Sequence, residues 1–235
     1  MKIQTQTAVS KMVSIFFQKE VYSSMLAISA LSVSLYSNAQ LGNSVGEWPS
    51  YAADAGSTKY TSLSQINREN FGKLKAAWSW TSIDGEIDLE KLMGSDADDI
   101  SFGRLQATPL MIGGVLYMIT ALNQAVALDA VTGELLWAFD PQAYLSGYSI
   151  SPLGYHHRGV AYWSDENETR ILFATNDGYL FSLDAKTGLP DTAFASGGID
   201  MTEGIPRANR EKLDYSGAVP LGTVSPVIIV KDVVV

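Results

Sequence analysis

Leu105–Phe139 reads LQATPLMIGGVLYMITALNQAVALDAVTGELLWAF, and the way this stretch is punctuated decides the fold. Three apolar runs, ATPLMI, VLYMIT and AVALDA, are separated by Gly113-Gly114 and by Leu122-Asn123. A fourth, ELLWAF, follows the turn at Val131-Thr132-Gly133. Short apolar runs broken by Gly or polar pairs predict an antiparallel meander of strands. The pattern then repeats. Moving the chain by 55 positions lays Val115–Asp140 on Arg170–Ala195 without a gap. The identities are Thr120/Thr175, Leu128/Leu183, Asp129/Asp184, Ala130/Ala185, Thr132/Thr187, Gly133/Gly188, Ala138/Ala193 and Phe139/Phe194. A third copy opens at Ser225-Pro226-Val227-Ile228, in the register of Thr108-Pro109-Leu110-Met111, and runs to Val235. Four-stranded units recurring every ~40–55 residues are the signature of an all-β propeller.

The turn shared by the two copies has a mechanical reason. Asp129 and Asp184 are placed to accept from backbone N–H groups of the turn, and Gly133 and Gly188 to take positive φ. Apolar residues around the turn are expected to face two ways, since each propeller sheet is covered on both sides. Trp137 is the expected wedge between neighbouring blades.

Ala127-x-Asp129-x-x-Thr132-Gly133-x-x-x-Trp137 resembles the tryptophan-docking motif A-x-D-x-x-T-G-x-x-x-W of pyrroloquinoline-quinone (PQQ) dehydrogenases. In the second copy Ser182 replaces the Ala and Thr192 the Trp. Cofactor-free propellers carry the motif too, so it marks architecture alone. A second resemblance is more specific. Residues 47–80, EWPSYAADAGSTKYTSLSQINRENFGKLKAAWSW, are similar to the leader that opens these enzymes. Trp48, Tyr51, Asp54, Tyr60, Leu63, Gln65, Ile66, Asn67, Asn70, Leu74, Ala77 and Trp78 keep its register. The resemblance implies an eight-bladed propeller whose ring is closed by a strand at 74–80. Such a ring needs on the order of 400–600 residues. The 235 residues, ending in the apolar KDVVV, are therefore read as the N-terminal part of a longer protein. The expected blades are 105–140, 158–195 and the start of a third at 223–235, following a leader over 40–104.

Composition narrows the function. With 46% hydrophobic and 17% charged residues the chain has the makeup of a globular protein. The net charge of −9 argues against nucleic-acid binding, and the absence of cysteine excludes a disulfide framework, Cys-ligated metal and a lipoprotein anchor. Residues 1–39 read as a cleaved export signal: Lys2, Lys11 and Lys19 precede the apolar run Met25–Leu35, and Ser37-Asn38-Ala39 offers small residues before Gln40. The mature chain is then expected in the periplasm, with a net charge of −11 after loss of three Lys and one Glu.

Within this frame the resemblance carries over individual residues. Arg158, in RGVAYW, matches the segment opening the second blade, whose Arg contacts the quinone in the family; by itself it would read as a surface ion pair. Gln106, in QATPL, and Thr223, in T-x-x-P, take the other positions of cofactor contact. Gln106 stands where alcohol-oxidising members tend to have Glu, and the vicinal Cys-Cys pair of the methanol and ethanol enzymes is missing, with Tyr155-His156-His157 in its neighbourhood. Both features point to the glucose or polyol branch. Adjacent histidines on a strand face opposite ways and make a poor chelating pair. Asp96, Asp98 and Asp99 in the connector 82–103 lack the glycine and Glu of an EF-hand and read as a solvated loop.

The resemblance implies PQQ and calcium as cofactors, a sugar, polyol or alcohol as substrate, and a cytochrome or membrane quinone as electron acceptor. Calcium ligands and the catalytic Asp of the family are expected beyond Val235, which leaves this stretch inactive on its own. The alternative is a non-enzymatic propeller acting as a binding or assembly scaffold.

Overall fold

The computed structural model describes residues 46–54, 56–94, 104–146, 149, 154–195, 197–205 and 222–235. The expected signal at 1–39 and the acidic run Asp96–Asp99 lie outside them. Two four-stranded antiparallel sheets and one hairpin follow in chain order. The first sheet holds β1 (Leu110–Ile112), β2 (Val115–Ile119), β3 (Ala125–Asp129) and β4 (Leu135–Phe139) in sequential order. The second holds β5 (Ala161–Ser164), β6 (Thr169–Ala174), β7 (Tyr179–Asp184) and β8 (Ile199–Asp200), also in sequential order. A hairpin of β9 (Ile229–Val230) and β10 (Val233–Val234) comes last.

The two copies of the Asp-x-x-Thr-Gly turn have the same geometry. Asp129 Oδ1 accepts from the Val131 and Thr132 amides at 2.9 and 2.7 Å and from Thr132 Oγ1 at 3.0 Å. Asp184 Oδ1 does the same with Lys186, Thr187 and Thr187 Oγ1 at 3.0, 2.8 and 2.8 Å. These bonds, that of the Thr132 amide foremost, hold the Asp129 carboxyl below its ordinary range. Gly133 and Gly188 sit at φ +75° and +70°, and each donates to the Asp carbonyl at 2.8 Å.

The turns also receive tryptophans. Trp137 lies on Gly188, where a Cβ would stand 2.6 Å from the indole, and its Nε1 donates to Ala185 O at 2.9 Å. Trp78, in the leader, sits in the same way on Gly133 and donates to Ala130 O at 3.2 Å. A register shift in the β3–β4 ladder pairs Ala127 with Trp137 but Leu128 with Leu135, leaving Leu136 as the extra residue. Such a bulge re-aims the following side chain, here Trp137 toward the second sheet.

Burial on two faces explains why β2 and β3 read as almost continuous apolar runs. Tyr117, Ile119, Ala125 and Ala127 pack with Ile171, Phe173, Phe181 and Leu183 of the second sheet. Met118, Val126 and Leu128 turn the other way, onto Trp78, Trp80 and Ile83. Phe139 joins Phe173 and Phe181, with centroids 6.3 and 5.4 Å away, in an aromatic cluster between the sheets.

Residues 74–80 run as non-repetitive chain, with Leu74 exposed and Trp78 docked; the last blade, on which a strand there was expected to close the ring, is not among the described residues. One sequence expectation needs correction: the last strand of the second sheet is not the copy of ELLWAF. Pro190 has no N–H to give a ladder, and Asp191 folds the chain into a turn by accepting from the Ala193 and Ala195 amides. The ladder resumes at Ile199–Asp200, beyond the expected limit of residue 195. In place of a docked Trp, Asp191 is held by Arg170 at 2.7 Å, which also pairs with Glu168 at 2.6 Å.

Candidate functional site

The entry segments of the three units are laced side by side by backbone hydrogen bonds. The Thr108 amide donates to Arg158 O at 2.8 Å, and the Arg158 amide to Val224 O at 3.0 Å. The Thr223 amide is held by Thr175 O at 3.0 Å. Residues separated by some fifty positions or more thus share one seam. Gly159, at φ +154°, allows it: a Cβ there would lie 3.2 Å from Thr108 O and 3.8 Å from the Tyr51 ring. Gly222 is needed for approach as well, since a Cβ would run into the Asn176 carbonyl.

Neighbouring loops brace the seam. Asn123, buried in the β2–β3 loop at φ +69°, accepts through Oδ1 from the Asn176 amide at 2.7 Å and from Asn176 Nδ2 at 3.0 Å. Asp84, buried at the tip of the first sheet, accepts from Thr120 Oγ1 at 2.6 Å, Gln124 Nε2 at 2.8 Å and the Leu122 amide at 3.3 Å. These three donors from the hairpin tip tie the leader to the first sheet.

Of the residues expected to meet a cofactor, Arg158 is exposed and donates from Nη1 to Ser225 Oγ at 3.2 Å. It forms no ion pair among the described residues, so the surface salt bridge that its sequence alone would indicate is not made there. Thr223 is half-buried, and its hydroxyl is engaged in a local turn with Ser225, accepting from the Ser225 amide at 3.2 Å and donating to its carbonyl at 3.2 Å. Gln106 is exposed, two residues before the seam at Thr108.

Arg158 lines a cleft of about 670 Å³ whose walls are Pro49 to Ala52, Asp54 and Ser57 of the leader, Val160 to Tyr162 at the start of β5, and Ser225 to Val230. Gln106 and Thr223 are not on its wall. Among the described residues the cleft wall carries one acid, Asp54, whose carboxylate accepts from the Thr58 hydroxyl and, at 3.1 Å, from the Thr58 amide. The hydroxyl bond chiefly, then the amide, holds the Asp54 pKa below its ordinary value. Ser50 Oγ is buried and has no hydrogen-bond partner among the described residues.

The histidines precede β5 rather than lying on a strand. His156 Nδ1 is 2.9 Å from Gly154 O, and His157 Nδ1 accepts from the Gly159 amide at 3.2 Å. Burial pushes the His157 imidazole down to about 4, against opposing backbone interactions at Ala174 and Gly159, so it is neutral at pH 7. Among the described residues no three His, Cys, Asp or Glu side chains gather where they could hold a metal ion. Ser50, Ser225 and Asp84 were not singled out from the sequence. Ser50 sits inside the leader motif between Trp48 and Tyr51, and Ser225 inside T-x-x-P, so their neighbourhoods were visible although their roles were not.

Residues 48–235 match the family described as glucose/ethanol/alcohol dehydrogenase, PQQ β-propeller domain. The chain belongs to this family. It is 37% identical over 147 residues to the dehydrogenase subunit of alcohol dehydrogenase (quinone) from Gluconobacter oxydans, covering 63% of this chain and 17% of that protein. It is 28% identical over 189 residues to quinoprotein glucose dehydrogenase A from Acinetobacter calcoaceticus, covering 71% of this chain and 22% of that one. The crystal structure of quinohemoprotein alcohol dehydrogenase from Comamonas testosteroni superposes with a TM-score of 0.57 at 25% identity, over 80% of this chain and 22% of that chain. The chain thus spans about a sixth to a fifth of the length of these relatives.

Proposed function

We propose that the chain is part of a periplasmic quinoprotein dehydrogenase that oxidises a sugar, polyol or alcohol and passes electrons to a cytochrome or membrane quinone. The observation that carries this reading is Arg158, a guanidinium without a carboxylate partner among the described residues, on the wall of a cleft between the leader and the second and third repeat units. PQQ is a flat tricarboxylate, and the cleft fits its chemistry in part. Arg158 supplies a charge-assisted donor, while Tyr51, Tyr162 and Pro226 supply flat apolar walls. When bound, PQQ supplies an orthoquinone that accepts a hydride. Arg158 holds and orients an anionic edge, and the leader turn closes one side of the site to water. Thr223, with its hydroxyl in the Ser225 turn, supports the seam that carries Arg158. Calcium belongs to the same reading, with its ligands expected outside the present residues.

The substrate stays at the level of a class. Relatives include alcohol enzymes, 37% identical in the Gluconobacter oxydans subunit, and a glucose enzyme at 28%, and Gln106, which pointed to the sugar and polyol branch, lies off the cleft wall. The test is titration of the full-length protein with PQQ in the presence of calcium. Arg158→Ala is expected to weaken binding by about 1.5–3 kcal/mol, the size of a hydrogen bond to a charged group. Equal affinity of the two proteins would remove Arg158 from the site; no binding by either would favour the scaffold reading. For export, intact-mass measurement of periplasmic protein should place the mature N-terminus at or near Gln40. A chain that keeps residues 1–39 there would refute cleavage.

A further inference from the structure

Arg158 combines a fixed backbone with a long exposed side chain. Its amide donates to Val224 O at 3.0 Å, its carbonyl accepts from the Thr108 amide at 2.8 Å, and its chain neighbours His157 and Gly159 are buried. Ordering a free arginine side chain on a ligand costs rotamer entropy, and that cost falls when the protein already holds the side chain in place. Ser225 supplies such a hold. It is half-buried on the same cleft wall, and its Oγ accepts from Arg158 Nη1 at 3.2 Å. Ser225 is itself fixed. Thr223 Oγ1 accepts from its amide and donates to its carbonyl, each at 3.2 Å, and Pro226 after it disfavours a helical backbone there. A guanidinium carries its N–H donors in one rigid plane, so a bond at Nη1 sets the direction of the fork and leaves its other donors for an anion. The acid on this wall, Asp54, is turned onto Thr58 and does not compete for them.

We infer that Ser225 is the positioning residue of Arg158: its hydroxyl oxygen, from the third unit, holds the guanidinium of the second unit aimed at a carboxylate-bearing ligand in the cleft. The inference rests on the proposed cofactor reading and deepens it. Ser225 acts through the arginine, and the orientation of the site's cation depends on two repeat units being in register.

The experiment uses the full-length protein as wild type, Ser225→Ala, Ser225→Thr, Arg158→Ala and the double variant Ser225→Ala/Arg158→Ala. Each is titrated with PQQ in the presence of calcium, and each ligand-free protein is melted. Ser225→Ala is expected to bind about three- to tenfold more weakly, the worth of one hydrogen bond. Ser225→Thr keeps the hydroxyl and should bind like wild type. In the Arg158→Ala background Ser225→Ala should have no further effect, a coupling in affinity that a serine serving only the fold does not produce. Wild-type affinity in Ser225→Ala with weakened Arg158→Ala would overturn the role of Ser225 and leave the cofactor reading standing. An equal loss from Ser225→Ala in both backgrounds would also overturn that role, because the serine would then act by a route other than Arg158. Ser225→Thr as weak as Ser225→Ala, with the midpoint lowered in both, would place the serine in the fold alone and overturn the inference. Wild-type affinity in every variant, or no binding by the wild type, would overturn both readings.

Discussion

Adding one methyl group at Gly188 tests the docking of Trp137 directly. A Cβ there would lie 2.6 Å from Trp137 Cδ2 and Cε3 and 3.0 Å from Cγ, where carbon atoms prefer about 3.5–4.0 Å. The indole must retreat by about 1 Å, which breaks its 2.9 Å bond to Ala185 O. That loss is about 1 kcal/mol. The alanine must also hold φ near +70°, at about 1–2 kcal/mol. Gly188→Ala is therefore expected to destabilise by about 2–4 kcal/mol once the lost ring contacts are included. In a Trp137→Ala background the steric and hydrogen-bond parts vanish and only the backbone part of about 1–2 kcal/mol remains. Trp137→Ala alone should lie near the lower end of the usual 3–5 kcal/mol, because the ring is half-buried. Urea unfolding of the two single variants and the double variant closes the cycle. Effects that add within about 0.5 kcal/mol would show that the ring and the glycine do not act on one another, and would refute docking as the link between the sheets.

The other expectations concern the interior. Asp84→Ala would strand the Thr120, Leu122 and Gln124 donors and should destabilise by about 3 kcal/mol, with faster amide exchange at Leu122; unchanged exchange would show that the carboxylate does not hold the hairpin tip. Because the folded-state pKa of His157 is depressed to about 4 from 6.5, its contribution is fully present above pH 6.5 and is lost as pH falls toward 4, by about 3 kcal/mol in all. Urea midpoints at pH 7 and pH 4.5 should differ accordingly in wild type and less in His157→Gln; identical pH slopes would exclude His157 as the source. The lowered pKa of Asp129 acts in a separate window, below pH 3.8, where stability is lost as its carboxylate is protonated.

The sequence by itself determined the repeat, the antiparallel meander and the family. These are local or periodic properties: a six-residue apolar run, a glycine at positive φ and an Asp that caps its own turn act within a few residues of one another. The Asp129 and Asp184 turns were legible for this reason, and Trp137 as a wedge followed from the repeat. Tertiary structure alone decided what lies across the chain. Whether 74–80 forms a strand depends on a neighbour from another segment, and among the described residues none pairs with it. Pro190 and Asp191 moved the last strand of the second sheet although Ala193 and Phe194 kept the register of the first copy. Arg158 could be named in advance, but its separation from Gln106 and Thr223 at the cleft depends on which side chains the backbone seam turns inward. A spacing in sequence sets how far apart two residues can lie, and only packing sets which way they face.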